Sequence, residues 1–270
     1  ILTTAFLSHG DTRHLMLFPS SPEECYSMGM EAFDLAEHFQ TPVFVMTDLD
    51  LGMNTWMSEP FEYPSEPIDR GKVLDEETLE RIGKFGRYHD VDGDGVPYRT
   101  IPGDKMPAYF LRGSGHNEWA AYSERPDDYT QNVDRIGRKF DTARDRLPEP
   151  KIEINKKATV GIIAYGTTHW AVKESRDQLV SEADLETSYY RIRSFPFRKA
   201  LASFIDRHER VYVVEQNKDG QMLSLMKLEL TPAHVERLHS VLHYSGLPID
   251  ARSITEEILV QEGYRAKRAG

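Results

Sequence analysis

Residues 8–52 constrain the fold of this chain more than any other stretch. They read as a polar loop, SHGDTRH, a short apolar run at residues 15–18, a capped amphipathic segment at residues 22–39, and then TPVFVMTDLDLG. Val43-Phe44-Val45-Met46 has the branched and aromatic character of a buried strand, and at Asp48-Leu49-Asp50 the chain turns abruptly polar. The order is loop, strand, helix, strand. In parallel α/β sheets the polar residues gathered at strand ends are the usual place for chemistry.

The helix has explicit boundaries. Ser21 stands at the N-cap, Pro22 at the first helical position and Glu24 where a capping-box carboxylate belongs. Cys25, Met28, Ala32, Leu35, Ala36 and Phe39 recur at helical spacing, with Glu23, Glu31, Asp34 and Glu37 mostly on the opposite face. Sulfur atoms on such a stripe read as core filling, not as ligands. The preceding loop, Ser8-His9-Gly10-Asp11-Thr12-Arg13-His14, reads either as a site loop or as a polar turn of ordinary composition. Its place directly before a buried strand favours the first reading.

With 270 residues, 39% hydrophobic and 29% charged, the chain can bury one large core or two medium ones. A formal charge of −11 argues against a nucleic-acid footprint and against attraction to anionic lipid. The single cysteine, Cys25, excludes an internal disulfide and a cluster of thiolates from this chain, so any iron–sulfur cluster belongs to a partner. No apolar run approaches the about 18 residues that span a bilayer, which makes the cytoplasm the default location. The chain opens inside an apolar helix end, Ile1-Leu2-Thr3-Thr4-Ala5-Phe6-Leu7, with no N-cap signal, and residues preceding Ile1 in the natural protein are expected.

Between residues 52 and 150 neither period dominates, apart from a helical piece near residues 77–85 and another near residues 134–146. Such a stretch reads as an elaborate connection packed over the first domain. Within it, Asp90-Val91-Asp92-Gly93-Asp94-Gly95 matches the opening of a calcium loop, but Ile101 stands where the bidentate glutamate belongs and Pro97 where a helix should begin. An aspartate-rich turn explains the same residues. Gly113-Ser114-Gly115-His116-Asn117-Glu118 is a candidate second site loop, with His116 beside Glu118, or simply a surface turn.

From residue 158 the pattern alternates strand and helix: strands at residues 159–165, 187–192 and 210–214, helices at 170–180, 197–208 and from 223 onward. That alternation predicts a second α/β domain with parallel pairing and right-handed crossovers. Its strand ends are Gly166-Thr167-Thr168, Arg191-Ile192-Arg193 and residues 215–221. A glycine followed by hydroxyls at a helix start can hold an anion through free N–H groups. Arg191 and Arg193 share one side of a strand and either clamp a carboxylate ligand or pair with acidic neighbours at a domain interface. Neither GxGxxG nor GxxxxGK[ST] is present, so a Rossmann or P-loop site is not supported.

SHGDTRHLMLFP, SPEECYSMGMEAFDLAEHFQTPVFVMTDLDLG, RYHDVDGDGVPYRTIPG, RGSGHNEWAAYSE, GIIAYGTTHWAVKESRDQL and VYVVEQNKDGQM together resemble the alpha subunit of 2-oxoacid:ferredoxin oxidoreductases, in particular the 2-oxoglutarate type. The resemblance spans nearly the whole chain. It implies an α/β fold of two parallel-sheet domains joined by a long irregular connection: residues 1–57 as the later half of a thiamine-diphosphate pyrimidine-binding domain, 58–157 as the connection, and 158–270 as a transketolase carboxyl-terminal-like domain. It also implies oxidative decarboxylation of a 2-oxoacid, 2-oxoglutarate favoured, to an acyl-CoA, carbon dioxide and reduced ferredoxin, with coenzyme A as co-substrate and thiamine diphosphate carrying the hard step.

In the family, the diphosphate-binding half, its Mg and the iron–sulfur cluster lie on a beta subunit, so the cofactor is shared and a hetero-oligomer of αβ pairs is expected. The activating glutamate corresponds to a position upstream of Ile1, which leaves no catalytic residue and no metal ligand assigned in this chain. The expected active-site wall is His9, Asp11, Thr12, Arg13 and His14. Two rival readings remain open: a non-catalytic scaffold, and another thiamine enzyme such as a transketolase or a dehydrogenase E1 component.

Overall fold

The computed structural model describes residues 1–8, 11–103 and 105–264. The first unit holds α1 (Leu2–Ala5), β1 (Leu15–Leu17), α2 (Pro22–Phe39), β2 (Val43–Val45) and α3 (Leu49–Met53). β1 and β2 run parallel, with Leu15 opposite Val43, and α2 crosses between them. The cap signals set both ends of α2: Ser21 Oγ accepts from Glu24 N at 3.3 Å, and Gln40 turns left-handed at φ 50° and ψ 51° to close it. Met28, Leu35 and Phe39 bury the inner face against Leu15 and Leu17, joined from the connection by Val96, Phe140 and Leu147. Cys25 lies half-buried on that helix, and burial pushes its thiol up.

Glu24 departs from the expectation. Its carboxylate accepts from Ser20 N and Ser20 Oγ, both at 2.9 Å, and from Arg191, so it faces the second domain instead of closing a box on Ser21. The polar end at Asp48 also differs, because Asp48 caps the short helix α3.

The connection carries α4 (Glu76–Ile82) and α5 (Pro126–Arg144). α5 begins well before residue 134, since Pro126 occupies its first turn and Asp127 and Asp128 follow. Those turns are polar and exposed, so they show no apolar stripe. The Asp90–Gly95 turn lies directly on α5. Gly95 sits at φ +81°, and a Cβ there would fall 2.3 Å from Lys139 N and 2.5 Å from Arg135 O. Only glycine permits that approach.

The second unit contains β3 (Lys151–Glu153), β4 (Val160–Tyr165), α6 (Thr168–Ala183), β5 (Thr187–Ile192), β6 (Ser194–Phe195), α7 (Ala200–Asp206), β7 (Arg210–Glu215), α8 (Gln221–Lys227), α9 (Pro232–Val235), β8 (Leu238–Leu242) and α10 (Ala251–Gln261). Its sheet has the order β3-β5-β4-β7-β8, parallel except for the edge strand β3. α6 and α10 cover one face through Val172, Leu179, Ile254 and Ile258. α7 and α8 cover the other through Leu201, Phe204, Met222 and Met226, together with Ala5, Met16 and Phe18 of the first unit.

β6 explains that shared core. Immediately after β5 the chain leaves the second sheet, and Ser194–Phe195 pairs antiparallel with β1, giving the first sheet its order β2-β1-β6. Phe18 N donates to Arg193 O at 2.9 Å beside it. A two-residue strand carries no period to read. β8 likewise replaces part of what reads as helix from residue 223 onward. Among the described residues no helix is long and apolar enough to cross a membrane.

Candidate functional site

The carboxyl ends of the two sheets meet. β2 runs into Asp48 and β4 into Gly166, and the Asp48 carboxylate joins them: Oδ1 accepts from Leu51 N at 2.9 Å, while Oδ2 accepts from Thr167 N at 3.3 Å and Thr167 Oγ1 at 2.6 Å. Gly166, at φ +58°, brings its backbone close enough that a Cβ would lie 3.3 Å from Asp48 Oδ2. The helix start at residues 166–168 does hold an anion, and the anion is the chain's own Asp48.

Over this joint lies a cleft of about 470 Å³ lined by Asp48, Asp50, Tyr165, Thr168, Gln216 and the loop at residues 243–248. Hydrogen bonds fix its walls. Gln216 Nε2 donates to Thr168 Oγ1 at 3.1 Å, and its Oε1 accepts from Ile249 N at 3.3 Å. Tyr165 points its hydroxyl at Glu215 Oε2, 3.5 Å away, and burial together with that carboxylate holds the phenol well above its ordinary range, so it stays protonated. Glu215 is fully buried and accepts from Met222 N at 2.8 Å, Leu223 N at 3.1 Å and Asn217 Nδ2 at 2.9 Å, which anchors α8 beneath the cleft. Two carboxylates, one histidine and neither lysine nor arginine line the cleft, which suits a neutral or cationic group and disfavours phosphate.

A second contact between the domains lies alongside. Arg191 donates to Glu24 Oε1 at 2.6 Å and Oε2 at 3.0 Å and to Ser20 Oγ, while Arg193 Nε stands 3.2 Å from Glu24 Oε1. Trp170 Nε1 adds a bond to Ser20 O at 2.8 Å. Burial alone raises the Glu24 carboxyl, but the Arg191 guanidinium overrides it and leaves the group below its usual range. Of the two readings of Arg191 and Arg193, pairing at the interface is the one the geometry takes.

The expected site loop sits elsewhere. His9 and Gly10 lie outside the described residues. Asp11 is exposed at φ 57°. Arg13 pairs with Glu229 of the second unit, which Arg144 also reaches at 3.1 Å. Thr12 is half-buried between them in sequence. His14 is buried, its Nε2 2.9 Å from Ser8 Oγ, its ring edge-on to Phe44 and its Nδ1 without a partner. Burial, and secondly Lys139, lowers its pKa, so the ring is neutral. This loop enters β1 at the amino end of the first sheet, whereas Asp48 leaves β2 at the carboxyl end. Strands of three residues separate the two by roughly 10 Å at about 3.3 Å per residue. The structure thus does not bring His14 and Asp48 together, and strand direction is the signal that distinguishes them.

The aspartate turn is satisfied internally. Lys72 Nζ lies 2.8 Å from both Asp92 Oδ2 and Asp94 Oδ1, and Arg138 binds Asp90 at 3.0 and 3.1 Å. A lysine ammonium thus stands among the carboxylates of the supposed calcium loop. No group of three or more His, Cys, Asp or Glu among the described residues is placed to hold a metal. Glu118 pairs with His89, at 2.6 Å, and not with His116, which stacks near Tyr88 and bonds Ser114 O at 3.0 Å. The loop at residues 243–248 escaped detection because β8 before it reads as helix. Its Ser245, Gly246 and Pro248 were the available signal of a turn.

Residues 3–84 match the family model described as pyruvate flavodoxin/ferredoxin oxidoreductase, thiamine diphosphate-binding. The 2-oxoacid:ferredoxin oxidoreductase 2 alpha subunit of Aeropyrum pernix is 26% identical over 256 residues, 92% of this chain and 38% of the relative. Four further relatives, 25–26% identical over 95–96% of this chain, are 2-oxoacid:ferredoxin oxidoreductase alpha subunits. The 2-oxoglutarate synthase subunit KorA of Methanothermobacter thermautotrophicus is 27% identical over 240 residues, 87% of this chain and 61% of the relative. This chain therefore spans about two to three fifths of the curated relatives it matches. The fold is that of the 2-oxoglutarate:ferredoxin oxidoreductase of Magnetococcus marinus, solved with 2-oxoglutarate, coenzyme A and succinyl-CoA bound, at a TM-score of 0.83 and 22% identity over 97% of this chain and 44% of that one. The diphosphate of thiamine diphosphate does not fit the cleft at Asp48 and Asp50, whose two carboxylates would repel it.

Proposed function

We propose that this chain is part of the alpha subunit of a 2-oxoacid:ferredoxin oxidoreductase acting on 2-oxoglutarate, with coenzyme A and ferredoxin as the other substrates. The observation that carries this reading is the similarity to alpha subunits across 92% of the chain, through both sheets and the connection between them. The KorA relative and the fold neighbour's bound 2-oxoglutarate support the choice of substrate. A beta subunit supplies the diphosphate site, Mg and the iron–sulfur cluster, in an assembly of αβ pairs in the cytoplasm.

The described residues bind and position. Glu24 with Arg191 and Arg193, and Asp48 with Thr167, lock the two domains so that their strand ends present one surface. Residues 1–57, 58–157 and 158–270 are the later half of the thiamine-diphosphate pyrimidine-binding domain, an irregular connecting segment and a transketolase carboxyl-terminal-like domain, and Asp11, Thr12, Arg13 and His14 form a wall near the substrate channel of the assembled enzyme. A second reading, a scaffold without direct contact to substrate, is favoured by the internal engagement of Arg13 by Glu229 and of His14 by Ser8.

The test is to purify the full-length protein with its beta subunit and follow coenzyme A-dependent ferredoxin reduction with 2-oxoglutarate, pyruvate and 2-oxoisovalerate. A kcat/KM at least about tenfold higher for 2-oxoglutarate is expected, equivalent to about 1.4 kcal/mol of discrimination. Absence of turnover with every 2-oxoacid would end the oxidoreductase reading. His14→Gln and Asp11→Asn separate wall from scaffold: a changed KM or kcat supports the wall, and unchanged kinetics support the scaffold.

A further inference from the structure

Three cations gather on the far side of the first domain, outside the joint, Arg87 and Arg135 buried and Lys139 half-buried. Arg135 and Lys139 stand four residues apart on α5 and so share one face of the helix. Arg87 meets them from the connection. Arg87 is 9% exposed and Arg135 7%, and the Nε of each is buried without a hydrogen-bond partner. Their guanidinium groups both approach the Tyr88 ring, at 5.4 and 5.8 Å, and Arg87 also lies 5.2 Å from the centre of Tyr109.

Among the described residues none of the three has a carboxylate partner. Arg135 Nη1 reaches only Gly95 O, at 3.1 Å, and Lys139 Nζ only Gln40 O, at 3.5 Å. Gln40 Oε1 is itself buried and unpartnered. Asp90 lies near Arg135 but is occupied by Arg138 and by Gly95 N at 3.0 Å. Burying like charges side by side without a counter-charge is costly, and buried charges in proteins are as a rule paired. A cleft of about 260 Å³, walled by Phe85, Tyr109, Phe110 and Trp119, opens onto Arg87.

We propose that Arg87, Arg135 and Lys139 form a binding site for a small oxyanion, the phosphoryl or carboxylate group of a small molecule that enters through the cleft over Arg87. The anion supplies the negative charge that the described side chains withhold, and the unpaired guanidinium N–H groups supply the donors. Lys139 bears this out in its proton affinity: burial first, then Arg135 and Arg87, lower its pKa to about 7, a shift that a bound anion reverses. The site does not depend on the function proposed above.

Equilibrium dialysis of the full-length protein in its native assembly against radiolabelled orthophosphate, and separately against malonate, at fixed ionic strength, tests it. The wild type is expected to bind one more anion per chain than Arg87→Met or Lys139→Met. Lys157→Met, which removes an exposed charge in the turn between β3 and β4, should match the wild type. Tighter binding of orthophosphate identifies a phosphoryl ligand and tighter binding of malonate a carboxylate. Equal stoichiometry in wild type and both cluster variants overturns the proposal. A readout that needs no variant is hydrogen–deuterium exchange of the wild type, where either anion should protect residues 85–90 and 135–140. Unchanged exchange there with both anions overturns it as well.

Discussion

Two groups of buried cations in this molecule are handled in opposite ways. At the joint between the domains, Arg191 and Arg193 converge on one carboxylate, Glu24, whose oxygens are also held by Ser20. Under the connection, Arg87, Arg135 and Lys139 gather, and the nearby carboxylate, Asp90, is bonded to Arg138 instead. The first group is closed: its two guanidinium groups share a carboxylate inside the chain, so the contact fixes the relative placement of two sheets. The second is open and stores an unfavourable interaction that a ligand can relieve. Burial makes both strong, and the presence or absence of one acidic side chain decides whether a cation cluster holds a fold or holds a ligand.

The contrast breaks most visibly at Arg191. Arg191→Met leaves the half-buried Glu24 with Arg193 alone, and the urea midpoint should fall by the equivalent of about 3 kcal/mol. A loss well under ~1 kcal/mol would mean that the joint is not held by this pair. Lys139→Met should act in the opposite direction, raising stability by about 2 kcal/mol at pH 7 because an uncompensated buried charge is removed. The sign follows from the shift: with a pKa of about 7 in the folded protein against 10.5 unfolded, the unfolded chain binds more protons between those values. Wild-type stability therefore rises as pH goes from about 7 to 10.5 and the penalty is fully present below 7, and the variant should lose that rise in urea titrations at pH 7 and pH 10.

Asp48→Ala removes the cap of α3 and both bonds from Thr167, at a cost of about 1 kcal/mol, measured the same way. The smallest effect is expected at His169, whose ring stacks on Tyr189 with Nδ1 3.1 Å from the hydroxyl. Burial, then Arg191 and Lys173, lower its pKa from 6.5 to about 4, so stability is lost as pH falls from 6.5 toward 4. His169→Gln should flatten that part of the acid-stability curve and leave stability at pH 8 nearly unchanged.

Much of the fold is legible locally. α2 declares its start through Ser21 and Pro22 and its register through the stripe from Met28 to Phe39, while β4, β5 and β7 are apolar or branched runs bounded by turns. The candidate site is less legible. The loop before β1 attracts notice by its two histidines, yet it lies at the amino end of its strand. The carboxyl-end residues that line the cleft include a loop after β8, a strand hidden in a segment that reads as helix. His89, Glu118 and Lys72 were missed as partners because each bonds a residue distant in sequence.

By itself the sequence determined the two α/β units, the span of α2 and the kinship carried by the motifs, all of which rest on periods, caps and turns that act within a few residues. Only the tertiary structure decided that Ser194–Phe195 stitches the second unit to the first sheet, that Glu24 meets Arg191 across 167 residues of chain, that Asp48 occupies the helix start at Thr167, and that Arg87 and Arg135 are buried with their Nε atoms unpartnered. The reason is the range of the interactions. A cap or a stripe is a property of neighbours along the chain, but a charge pair, an edge pairing or a buried cluster depends on which surfaces the whole fold brings into contact, and no local pattern of residues carries that information.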